Sequence, residues 1–197
     1  MKKTFALAIL LFVIVSITNA QVNTDKSDHL SFKGVPIDGT LNDYVLKMKK
    51  SGFMHTGTNN GIAILKGDFA SYKNCTLGVS TLKAKDLVSK IIVLFPDLEI
   101  WSSLSSNYFN LKEMLTEKYG QPAESKEVFQ SYTPDNDGSK MTYVQLGHCK
   151  YYTIYETEKG SIELSIEQGD YPNAFVKLAY FDKINGETIK QDALKDL

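Results

Sequence analysis

Two segments of helical period, each closed by a glycine and each followed by short strands with no further helix between them, constrain this chain most. The first runs through Leu41, Val45 and Met48 and stops at Gly52. Thr40 with Asp43 three residues on has the form of a capping box, and Lys47, Lys49 and Lys50 sit in the last turn, where the helix dipole favours cations. The second places Trp101, Leu104, Tyr108, Leu111, Leu115 and Tyr119 three or four residues apart, with Ser102 or Ser103 as its cap, and stops at Gly120-Gln121-Pro122.

After the first helix, strands are expected at 53–58, 62–69, 75–80 and 87–95. Asn60-Gly61 supplies the first hairpin turn. The run Ile91 to Phe95 reads as a buried strand. After the second helix they are expected at 124–130, 141–147, 149–157, 161–168 and 174–182, with loops at Pro134–Gly138 and Gly169–Asn173. Leu30 to Ile37 reads as a short extended segment. Strands in succession, without helices between them, point to an α+β fold with antiparallel sheet and not to a parallel one. Two tandem helix-plus-sheet units, 29–97 and 98–184, account for the order. One continuous sheet packed by two helices accounts for it as well. Residues 185–197 read as a C-terminal tail with a short helix through Ile189, Leu194 and Leu197.

The N-terminus bears on compartment. Lys2 and Lys3 precede an apolar run from Phe5 to Val15, and Thr18-Asn19-Ala20 offers a small-residue cleavage site before Gln21. This is the layout of a secretory signal peptide over 1–20, with a polar tail at 21–28. The run is shorter than the roughly 20 residues a membrane helix needs, and no later apolar stretch reaches that length. The expected product is exported, to the periplasm or beyond the cell, with no membrane span after cleavage. Losing Lys2 and Lys3 moves the formal charge from −1 to −3, and all 22 basic residues are lysine. Near-balanced charge without arginine argues against a nucleic-acid partner.

Only Cys75 and Cys149 are available for a disulfide. In an oxidising compartment they form one bridge, or else they are two buried thiols; both readings stand. Either way a core must hold the fold, and 11 Tyr and 10 Phe supply the means.

The arrangement resembles the β-lactamase-inhibitor-protein-like fold, tandem helix-and-four-strand units of exported bacterial proteins. The residues that carry the resemblance are the helix–glycine junctions 40–52 and 102–120, with their meanders. Phe32 to Gly39 and Leu111 to Pro122 also look like segments of uncharacterised secreted bacterial proteins. The resemblance is architectural and implies fold alone, since no inhibitory contact residue can be matched and the cysteines fall one in each half.

No motif for catalysis, metal or cofactor emerges. His29, His55 and His148 have no nucleophile elbow to serve. His148 and Cys149 are strand neighbours and point to opposite faces. Asp135-Asn136-Asp137-Gly138 opens like a calcium loop but lacks the later ligands, with Lys140 and Leu146 in their places. Glu163 and Glu167 share a strand face at about 13 Å, beyond glycosidase spacing. Alternation across the last hairpin sends Tyr151, Thr153, Tyr155, Ile162, Leu164 and Ile166 to the core. It leaves Tyr152, Ile154, Glu163, Glu167, Phe175, Lys177 and Phe181 on an open face. Aromatic groups mixed with charges suit recognition of a protein or peptide. The expectation is a non-enzymatic binding module, with an extracytoplasmic hydrolase of peptide or glycan as the alternative.

Overall fold

Thr40 opens the first helix, α1 (Leu41–Lys50), in the computed structural model, which describes residues 27–82 and 85–195. The expected signal peptide and residues 21–26 of the tail lie outside the described residues. The Thr40 hydroxyl accepts from Asp43 N (3.2 Å) and donates to the Asp43 carboxylate (2.9 Å): the N-cap half of the box forms, while the carboxylate meets the hydroxyl and not the Thr40 N–H. Leu41, Tyr44, Val45 and Met48 form its buried stripe. The second helix, α2 (Trp101–Tyr119), buries Trp101, Leu104, Tyr108, Leu111 and Leu115.

Each helix leads into four strands. After α1 come β3 (Met54–Asn59), β4 (Ile62–Phe69), β5 (Tyr72–Leu82) and β6 (Lys85–Leu94). After α2 come β7 (Glu124–Phe129), β8 (Cys149–Thr157), β9 (Gly160–Gln168) and β10 (Ala174–Asp182). All pair antiparallel in one sheet of order β3-β4-β5-β6-β10-β9-β8-β7. Read from either edge inward, the order is the same. The last strands of the two units meet at the centre, Lys90 opposite Phe181 through Leu94 opposite Lys177. The α+β reading holds: two helix-plus-sheet units share a continuous sheet. The helices cover one face, over a single core that runs from Leu65 and Ile91 to Leu178 and Ile162.

Four local expectations are corrected. Leu30–Ile37 is a small hairpin, β1 (Ser31–Phe32) with β2 (Val35–Pro36), turning at Lys33-Gly34 with both φ positive. It carries Phe32 into the core against Phe69 and Tyr180. The predicted strand 141–147 is a helix, α3 (Asp137–Gln145), opened by Asn136, whose side chain accepts from Ser139 N. Neither Ser102 nor Ser103 caps α2. Ile100 stands at the cap position, and the Asp137 carboxylate reaches over from α3 to accept from Ser102 N at 3.1 Å. The helix expected through Ile189 and Leu194 starts earlier and is docked: α4 (Lys183–Leu194) follows β10 directly and packs against β6, β9 and β10, while Leu197 lies outside the described residues.

One buried carboxylate fastens this end. Asp182 is 2% exposed. It caps α4 through Asn185 N (2.9 Å), and accepts from Leu30 N (2.8 Å) and the His29 ring (3.0 Å). Asn185 donates to the carbonyls of Ile37 and Val88. His29, next to the polar tail, is therefore anchored.

Candidate functional site: the helix-free sheet face

Alternation along each strand assigns the two faces. Ala63, Leu65, Leu77, Val79, Ile91, Val93, Val176, Leu178, Leu164 and Tyr155 are buried under the helices. Their neighbours point the other way, to the face away from α1 and α2, which α4 borders at one end, where Gly186 and Lys190 stand beside Phe181. All seven residues expected on the open face are there: Tyr152 and Ile154 on β8, Glu163 and Glu167 on β9, Phe175, Lys177 and Phe181 on β10. Each is half-buried by its neighbours.

The structure gathers only some of them. Lys177 bonds the Glu167 carboxylate and lies 3.7 Å from that of Glu163, while Ser165 Oγ donates to Glu167 at 2.8 Å. Phe181 sits apart, under the Lys90 ammonium at 4.6 Å from the ring centroid. Tyr152 donates to Glu124 near the β7 edge, and that hydrogen bond raises its phenol above the ordinary range.

The first unit contributes a feature that the sequence reading passed over. Ile62, Ile64, Ile92, Leu94 and Phe175 wall an open groove of about 360 Å³, with Thr76, Glu167, Gln168 and Lys177 at its rim. Gly78 is its floor, opposite Ile64 on β4 and Ile92 on β6. The legible signal was the run Ile91 to Leu94. By itself it reads as a buried strand. Ile91 and Val93 are buried, whereas Ile92 and Leu94 are half-buried on the helix-free side.

Two strand glycines show what is unusual here. A Cβ at Gly67 would lie 2.6 Å from the Phe53 ring, so the core excludes any side chain there. A Cβ at Gly78 would meet nothing closer than 3.9 Å, and its backbone is outside the left-handed region. Neither sterics nor conformation demands a glycine, yet glycine weakens a strand and leaves the groove open.

Sites for chemistry do not assemble around the other candidates. Cys75 and Cys149 are free thiols. Cys75 packs in the core of the first unit, and burial raises its thiol. Burial pushes Cys149 up to about 12, far from an activated thiolate. His148 is exposed and packs edge-on to Tyr143 at 5.7 Å. His55 bonds Thr58 at 2.9 Å. The would-be calcium residues Asn136 and Asp137 serve the starts of α3 and α2. Under α2, the Tyr108 and Thr153 hydroxyls share a 2.6 Å hydrogen bond, and Lys112 holds Glu127 and Ser125. A larger cleft, about 810 Å³, lies between α4 and the β8–β9 turn. It is walled mainly by charged side chains such as Glu158, Lys159, Lys183 and Glu187, and it adjoins the start of the described residues.

Among the described residues no helix is long and apolar enough to cross a membrane. No family model matches the chain, and neither a curated protein nor a solved structure is similar to it.

Proposed function

We propose that this protein is an exported, non-enzymatic binding module that contacts a protein or peptide through the helix-free face of its sheet. One observation carries the reading: the helix-free face of an eight-stranded sheet bears exposed Ile62 and half-buried Ile64, Ile92, Leu94, Phe175, Phe181 and Tyr152 among charged groups. Apolar anchors bordered by charges are the composition of recognition surfaces. Export is supported by the basic, apolar and small-residue blocks of residues 1–20.

The test is capture of partners by residues 21–197 from the envelope and medium of the source, compared with Tyr152→Ala and Phe181→Ala. Both side chains lie on the surface face, so the variants keep their far-UV spectrum. Capture of one stoichiometric partner that weakens in the variants supports the proposal; unchanged capture contradicts it.

A further inference from the structure

The groove over Gly78 is the most specific feature of the open face, and what surrounds it describes its occupant. Around it the first unit presents Lys66, opposite Thr76 on β5, and Lys90, opposite Ser80. Neither ammonium has a carboxylate partner among the described residues. Asp68, farther along β4, is taken by Lys73 across the turn. The carboxylate at the groove itself, Glu167, is taken by Lys177. The groove is thus apolar, walled by five large side chains, and bordered by uncompensated positive charge.

We propose that this groove seats a large apolar side chain of an extended partner polypeptide, next to a carboxylate of the same segment that pairs with Lys66 or Lys90. The inference rests on the open-face reading above and names its partner class. Four features favour a polypeptide over an acyl chain. The groove has no roof, whereas sites for small apolar ligands enclose most of the ligand surface. Its rim offers Thr76, Gln168, Glu167 and Lys177, donors and acceptors that match main-chain N–H and C=O and that an acyl chain would leave unused. The Lys177–Glu167 pair would lose water to a lipid without compensation. The missing side chain at residue 78 lets a partner backbone approach the sheet.

The experiment is selection of a displayed random dodecapeptide library on residues 21–197. Selected peptides are then titrated against the wild type, Gly78→Val, Lys66→Gln/Lys90→Gln and Tyr152→Ala. A Cβ at 78 meets nothing closer than 3.9 Å, so Gly78→Ala is accommodated as it stands, and Gly78→Val adds two methyls that fill the floor. Selected sequences should pair a large apolar residue with a nearby Asp or Glu. Gly78→Val should weaken them about tenfold or more, Gly78→Ala less, and the double lysine variant about threefold, an effect that fades in high salt. Peptides that bind but ignore Gly78→Val while losing affinity in Tyr152→Ala would overturn the groove proposal and leave the open-face reading standing. No selected peptide from the library would overturn both. Failure of the peptides with binding of a fluorescent fatty acid, abolished by Gly78→Val, would replace the polypeptide with an acyl ligand and overturn the assignment.

Discussion

Under α1, the second strand of the first unit, β4, places Ala63 and Leu65 in a dry apolar interface. Under α2, the second strand of the other unit, β8, places Thr153 and Tyr155 there, and a hydrogen-bond network replaces the dry contact. Thr153 joins Tyr108 and Ser125, and the Tyr155 hydroxyl meets Thr116 and the Lys112 carbonyl. On the outer face the polarity reverses. The first unit, dry inside, shows Ile62, Ile64, Ile92 and Leu94 around Gly78; the second, hydrogen-bonded inside, shows Glu163, Glu167, Lys177 and Tyr152. The order of elements is repeated while the chemistry of both faces is not. The central pairing of β6 with β10 joins the apolar half to the charged half. Phe175 from one unit thereby closes a groove built by the other.

The edges differ in the same spirit. β7 carries Glu124, Lys126 and Glu127, charges that oppose pairing with another strand. β3 has no acidic or lysine side chain but is interrupted by a bulge between His55 and Gly57, which achieves the same end by geometry.

The strongest expected effect distinguishes a bridge between the halves from two separate thiols. With Cys149 held at about 12 by burial, its thiolate is roughly a thousandfold scarcer at pH 8 than in an unfolded chain. Alkylation of Cys149 should be correspondingly slow, and buried Cys75 should also be protected, until urea unfolds the protein, when two thiols appear. Finding none after unfolding would establish a bridge and contradict the structure.

Next in size is Ile91→Ala, at the centre of the sheet opposite Tyr180. It should cost about 3 kcal/mol and lower a single urea transition seen equally by far-UV dichroism and by Trp101, the only tryptophan. A Trp101 signal that stays put would mean that the halves unfold separately. The inverted interiors are compared by exchanging their character. Leu65→Thr buries a hydroxyl without a partner and should cost about 3 kcal/mol. Thr153→Val should cost about 1 kcal/mol, since Tyr108 keeps Glu127 at 3.2 Å. Equal costs would refute the contrast. The smallest effect concerns α4. Hydrogen bonds from Lys195 and Lys85 hold Asp192 at about 2, below its ordinary 3.8. A depressed carboxylate stabilises the fold above its unfolded value, and that contribution is lost as pH falls from about 4 to about 2. Lys85→Gln should flatten the acid limb of the melting curve slightly; an identical curve would show that the pair is silent.

What was legible in the sequence was local. The capping box at Thr40, the glycine stops and the alternation of 151–167 each depend on neighbours in the chain. Helix α3 was not legible, because Gly138, Ser139, Thr142, Tyr143 and Val144 are weak helix formers. The alternation of Met141, Tyr143 and Gln145 imitates a strand. The Asn136 cap, the Asp137 bond to Ser102 N and burial of Met141 and Val144 decide it. The cap of α2 was missed for the same reason, since its acceptor comes from another element. Half of the candidate face was read correctly, since β8, β9 and β10 are hairpin neighbours. The groove was not, because it needs β10 beside β6, a pairing no local pattern encodes.

The most direct test of the binding face is methyl NMR of residues 21–197 titrated with a library-selected dodecapeptide. The account predicts shifts at Ile62, Ile64, Ile92 and Leu94, with Leu65, Ile91, Val93 and Leu178 on the covered face unmoved. Shifts concentrated instead at Ile184 and Ile189 on α4, with the four groove residues silent, would contradict it.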